Sequence, residues 1–163
     1  MREELSLKYD QRLLLLKALS ATLEQQTIEA LSNLPRVDRV HFRVKGRESF
    51  LAKALDPRNK PAYGDPLAEI EDQVAGRILV FFLSDIGAVT TKLQGAFTPV
   101  ESTRRRPEKD EEFGYESHHL ICVIPPQAKP KGWESWRDLP TTFEIQIRTL
   151  FMHAWAEIGR AHV

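Results

Sequence analysis

The run Thr142-Phe143-Glu144-Ile145-Gln146-Ile147-Arg148-Thr149 constrains this chain more than any other segment, because its period of two sorts the side chains onto opposite faces of a strand. Phe143, Ile145 and Ile147 look one way; Glu144, Gln146 and Arg148 look the other. A carboxylate, an amide and a guanidinium in one row are costly to bury without polar partners, so that face is expected to border a polar cleft.

The 163 residues, 42% hydrophobic and 28% charged, suit a single domain over 1–163 with a sizeable core. Lys+Arg and Asp+Glu balance at 23 each, which excludes indiscriminate binding to nucleic acid or anionic membrane, and any polyanion must be gripped locally. The one cysteine, Cys122, sits in the apolar run Leu120-Ile121-Cys122-Val123-Ile124 and reads as a buried thiol; no disulfide or cysteine zinc site is available within the chain. No apolar stretch reaches the length of a membrane span, and Met1-Arg2-Glu3-Glu4 is not a signal peptide, so a cytoplasmic protein is expected.

Residues 5–34 read as a helix, with Leu13, Leu14, Leu16 and Leu19 on one stripe and Pro35 closing an N-terminal helical segment over 1–35. A strand is expected over 37–44, a helix from Gly46 through Leu55, a loop over 56–61 and a short helix over 69–74. The apolar run 76–83 reads as a central strand, followed by a helix that Ser84 or Asp85 caps and that extends to about Phe97. The stretch around 104–112 is polar and irregular. Strands over 118–124 and 141–148 flank a Pro- and Trp-bearing connection, and a helix begins near Leu150. Without a regular βαβ repeat, the class is α+β, a mixed β-sheet flanked by helices.

Arg43 and Lys45 share a strand face, and Ser49 and Lys53 share a helix face. The turn at Gly46 brings cations and a hydroxyl to a strand-to-helix junction, a plausible polyphosphate cradle; a solvated charged surface is the plainer reading. Asp72 precedes the apolar strand, with Arg77 five residues on; it reads either as a salt-bridge acid or, with Glu144, as a pair of carboxylates for Mg²⁺. Tyr115, at a turn, reads as a core ring or as a stacking platform for a base. His118 and His119 are neighbours on a strand, point to opposite faces and are poorly placed to share one metal ion. On the terminal helix Trp155 is expected in the core, and His153 as a supporting or buried imidazole.

In order, Arg43-x-Lys45-x-x-x-Ser49-x-x-x-Lys53, Asp72-x-x-Ala75-Gly76-Arg77, Gly114-Tyr115-x-Ser117-x-His119, Glu144-Ile145-Gln146-Ile147-Arg148-Thr149 and Met152-His153-Ala154-Trp155-Ala156-Glu157 closely resemble the RelA/SpoT synthetase domain over about 37–157. The resemblance implies a nucleotidyltransferase-like fold and transfer of pyrophosphate from ATP to a ribose 3′-hydroxyl, giving (p)ppGpp when the acceptor is GDP or GTP. It also implies that Arg43 and Arg77 sandwich the adenine, that Lys45, Ser49 and Lys53 hold the ATP phosphates, and that Asp72 and Glu144 bind Mg²⁺, Glu144 also taking the acceptor proton. Tyr115 would stack on the acceptor base, with His119, Gln146 and Arg148 supporting the acceptor side.

The chain departs from that pattern in three places. Asp110-Glu111-Glu112-Phe113 stands where many guanosine-using relatives have Pro-Lys-x-Asn, which opens a second acceptor, the tRNA 3′ end used by some toxic relatives, with an antitoxin as partner. Arg104, Arg105 and Arg106 would then hold RNA, or replace the lysine on a nucleotide. A non-catalytic nucleotide-binding module is the third reading, and a homo-oligomer is left open. His118 replaces a usually apolar residue, and residues 159–163 are expected to be a non-native ending, since a common sequencing adapter encodes Glu-Ile-Gly-Arg-Ala-His-Val in one frame.

Overall fold

A computed structural model describes residues 1–105 and 117–161. The element order is α1 (Arg2–Ala30), β1 (Val37–Val44), α2 (Arg47–Ala54), α3 (Pro66–Glu69), β2 (Val74–Val80), α4 (Leu83–Ala96), β3 (Pro99–Arg105), β4 (Ser117–Val123), β5 (Thr142–Thr149) and α5 (Leu150–Ala161). The five strands form one sheet in the order β1-β2-β5-β4-β3. β2 and β5 run parallel and the other neighbours antiparallel, so the sheet is mixed and the fold α+β.

The alternation of β5 decides the layering. Phe143, Ile145 and Ile147 are fully buried with Ile78, Val80, Leu120 and Cys122 on one face, which packs against Leu16, Leu19 and Leu23 of α1 and Val89 and Leu93 of α4. Phe97 meets Phe143 edge-on at 5.3 Å between ring centres. The ring of Phe42 presses on Gly76 across the β1–β2 pair, where any Cβ would lie far inside van der Waals contact. Residues of opposite parity, among them Arg77, His119, Glu144, Gln146 and Arg148, face the other way, and α5 lies at one end of that second face.

Several elements differ from expectation. The buried stripe of α1 runs Tyr9, Arg12, Leu16, Leu19, Leu23, Thr27, at spacings of three and four, and leaves Leu14 81% exposed. Residues 13–16 are too uniformly apolar to reveal the phase of the helix; the sheet it covers sets that phase. The short helix begins earlier than 69–74, because Asp65 caps it through Oδ1, 3.1 Å from the Leu67 N–H, and Pro66 fills its first position. Val74 already belongs to β2.

β2 stops at Val80, and Phe81 and Phe82 are exposed. Neither Ser84 nor Asp85 is the cap of α4. Asp85 is the third helical residue and its Oδ2 reaches back to the Phe82 N–H at 3.0 Å, while its Oδ1 accepts from Arg36 at 2.7 Å. Part of the polar stretch expected to be irregular is the strand β3, in which Arg104 and Arg105 pair with β4; Arg106 and residues 107–112 lie outside the described residues. Trp155, expected in the core, is 52% exposed. Of the expected non-native ending, 162–163 are outside the described residues and 159–161 continue α5.

Candidate functional site

Two constellations share the open face of the sheet. The first forms at the β1–α2 junction. Lys45 follows the last residue of β1, its peptide N–H bound to the Gln73 carbonyl at 2.8 Å, and Lys53 lies on the last turn of α2. Their ammonium groups converge on one carboxylate: Lys45 Nζ donates to Asp72 Oδ2 at 2.6 Å and Lys53 Nζ to Oδ1 at 2.9 Å. Burial pushes the Asp72 carboxyl up, but the two lysines outweigh it and hold it below the usual carboxylate range. Burial likewise lowers Lys53, and the bond to Asp72 reverses this and raises it. The expected cradle thus gathers Lys45, Lys53 and Asp72. Ser49 sits on an exposed face of α2, one turn before Lys53.

Arg43 does not join that cluster. It lines a cleft of about 420 Å³ with Arg77, whose floor is Ala75, Gly76 and Leu79 and whose far wall is Gln146 and His153. Arg77 Nη1 is 3.7 Å from Glu157 Oε1. Two lining residues, Arg39 and His41, were not singled out from the sequence. The signal was present, since both keep the parity of Arg43 along β1; the register adds that His41, rather than Arg43, is directly opposite Arg77.

The second constellation is a chain of side chains across β4 and β5. Ser117 Oγ and His119 Nε2 are 2.9 Å apart, and His119 Nδ1 lies 2.6 Å from Glu144 Oε1. The same oxygen accepts from Gln146 Nε2 at 3.2 Å, and Gln146 Oε1 from Arg148 Nη2 at 2.7 Å. Ser117, His119, Glu144 and Arg148 are all buried. Burial and the nearby Asp72 charge drive the Glu144 carboxyl up, yet the hydrogen bond and charge of His119 prevail and leave it lowered. Ser117, in the sequence one member of a motif with no role of its own, fixes the far ring nitrogen of His119. His118 faces away and bonds Ser102 at 2.7 Å, which bears out the opposed pair.

Glu71, beside Asp72, is raised by burial and by the charges of Glu101, Glu144 and Asp72, although Lys53 works against this. The run Arg104-Arg105 is divided by the strand: Arg104 is opposite His118, and Arg105 is opposite Ser117 on the open face. Tyr115 and Arg106 lie outside the described residues. Cys122 is buried in the core with its thiol pushed up to about 11, and contributes no nucleophile. Asp72 and Glu144 feel each other's charge and offer hard oxygen donors, a set suited to Mg²⁺.

Residues 42–163 match the family described as a region found in RelA / SpoT proteins. The chain belongs to that family. It is 37% identical over 120 residues to the GTP pyrophosphokinase YjbM of Bacillus subtilis (strain 168), a match covering 71% of this chain and 53% of that protein, so the chain spans about half the length of this curated relative. The crystal structure of small alarmone synthetase 1 from Bacillus subtilis superposes with a TM-score of 0.65 at 26% identity, over 94% of this chain and 77% of that one. The same enzyme bound to its product pppGpp gives 0.63 at 25% identity, over 94% and 78%. The RelA/SpoT match begins at Phe42, so α1 lies outside it, and both constellations inside it. Among the described residues no helix is long and apolar enough to cross a membrane.

Proposed function

We propose that the protein is a Mg²⁺-dependent pyrophosphokinase that moves the β,γ-pyrophosphate of ATP to the ribose 3′-hydroxyl of GDP or GTP. The observation that carries this reading is the Ser117–His119–Glu144–Gln146–Arg148 chain, set beside the Lys45–Asp72–Lys53 cluster on one sheet face. The 3′-oxygen attacks the β-phosphorus, the bond from that phosphorus to the α,β-bridging oxygen breaks, and AMP leaves with that oxygen. Glu144 takes the hydroxyl proton, with His119 holding the accepting carboxylate in place. Lys45 and Lys53 grip the ATP phosphates, Arg43 and Arg77 the base, and Arg148 faces the charge that builds on the transferred group. Mg²⁺, held by Asp72 and Glu144, would supply charge neutralisation for the phosphates. Positioning and electrostatic stabilisation are the main demands of phosphoryl transfer. The product-bound small alarmone synthetase 1 supports a guanosine acceptor.

A second acceptor, the tRNA 3′ end, is favoured by one specific feature. Asp110-Glu111-Glu112-Phe113 stands where many guanosine-using relatives carry a lysine, and acidic residues there would repel the phosphate tail of GDP or GTP. Incubation with Mg²⁺ and γ-labelled ATP against GDP, GTP, ADP and bulk tRNA decides between them. Label on GDP or GTP is expected; label on tRNA alone would reassign the acceptor, and label nowhere would refute the enzymatic reading.

A further inference from the structure

We infer that Tyr9, on a helix outside the family match, is a positioning residue of the donor site: its hydroxyl clamps the Lys45 carbonyl and so fixes where the Lys45 ammonium meets Asp72. The inference rests on the donor reading above.

Tyr9 is fully buried, and its hydroxyl donates to Lys45 O at 2.7 Å. Its ring stacks on Phe50, also fully buried, with centres 4.0 Å apart and planes 6° from parallel. One side chain therefore touches both sides of the turn at Gly46: the residue that leaves β1 and the first turns of α2. Lys45 is gripped at its N–H as well, by the Gln73 carbonyl. Gln73 is buried, and its Nε2 donates to Leu67 O at 2.8 Å and Ile70 O at 2.9 Å, which anchors the backbone next to Asp72. Both peptide groups of Lys45 are thus fixed to structure that also fixes Asp72, and the side chain starts from a defined point.

The ion pairs between α1 and α2, Asp10–Arg47 at 3.0 Å and Arg2–Glu48 at 2.8 Å, are exposed and contribute little. Tyr9 is a buried link that joins the two by both a hydrogen bond and a ring stack, and the rigidity of the cradle toward a phosphate chain depends on it. A positioned cation acts on a bound phosphate far better than a mobile one, because its orientation is settled before the ligand arrives.

Tyr9→Phe removes the hydroxyl and keeps the stack. The test is calorimetric binding of α,β-methylene-ATP with Mg²⁺, alongside thermal melting. Thr27→Val serves as the control: Thr27 is equally buried on α1, its hydroxyl bonds only Leu23 O at 2.7 Å, and it is remote from the cradle. Tyr9→Phe is expected to weaken analogue binding about tenfold, the worth of one well-placed hydrogen bond, whereas Thr27→Val leaves it unchanged. Phe50→Leu, which takes away the stacked ring and spares the hydroxyl, is expected to weaken binding by a smaller factor and reports on the same clamp should Tyr9→Phe not fold. Wild-type affinity in both Tyr9→Phe and Phe50→Leu, or an equal loss in Thr27→Val, would overturn the inference and make Tyr9 a strut of the fold. Failure of the wild-type protein itself to take up the analogue would instead refute the donor assignment.

Discussion

Asp72 holds two ammonium groups, and Asp72→Asn removes the charge they share while keeping the shape. The Lys45 link joins side chains only 17% and 19% exposed, so it counts as a charge-assisted hydrogen bond worth about 2 kcal/mol. The Lys53 side chain is 39% exposed, and solvent screening holds its share to well under about 1 kcal/mol. Loss of the carboxylate also relieves its repulsion of Glu144, which offsets part of this. The net destabilisation is about 2 kcal/mol, or about 4–8 °C in melting temperature for a chain of this size. The pH dependence has a definite sign. The Asp72 carboxyl is depressed below its ordinary 3.8, so its stabilisation is present above that value and is lost as pH falls through the lower folded one. Melting followed by circular dichroism should find the wild type and Asp72→Asn separated at neutral pH and converging in acid. If Asp72→Asn melts at or above the wild type at neutral pH, repulsion among Asp72, Glu71 and Glu144 outweighs the two lysine bonds, and Asp72 is not a stabilising anchor for them.

Three further outcomes are expected. His119→Ala takes away the bond that holds Glu144 ionised and leaves burial and Asp72 to raise it, so the acid limb of the kcat/KM profile should move to higher pH; an unmoved limb would show that His119 does not tune this carboxylate. Arg105→Ala should weaken acceptor use and Arg104→Ala should not, because only Arg105 shares the open face; equal effects in steady-state kinetics would remove the distinction. Gly76→Ala forces a methyl into the Phe42 ring and should cost about 1–3 kcal/mol by overpacking, and an unchanged melting temperature would show that the ring swings aside freely.

What was legible in the sequence follows from what each element touches. β5 and β2 run through the middle of the sheet, and their alternation or apolar run announces them. β3, Pro99–Arg105, is an edge strand whose residues are mostly exposed, so no hydrophobic period marks it and its charges read as loop. The site behaves the same way. Lys45, Lys53 and Asp72 were legible as a motif, but their direct ion pairing depends on the turn at Gly46 and on the approach of β2 to β1. Arg39 and His41 were visible as same-parity neighbours of Arg43, yet only the register to β2 places them beside Arg77. Tyr9 had no local signal at all; its partner is 36 residues away.

The two faces of the sheet are not independent, and this links stability to chemistry. Glu144 lies between the buried Phe143 and Ile145, Gln146 between Ile145 and Ile147, and Arg77 between Gly76 and Ile78. A one-residue slip of β5 would carry Glu144, Gln146 and Arg148 into an apolar core and expose three fully buried side chains, at a cost no marginally stable domain can bear. The packing of the hidden face therefore holds the register of the open one, and that register sets Glu144 opposite Ala75 and Ile121, and Gln146 opposite Arg77 and His119. The 2.6 Å contact between His119 and Glu144 is in this sense made by Leu120, Phe143 and Ile145, which pack on the opposite face of the sheet and leave the two strands one way to pair.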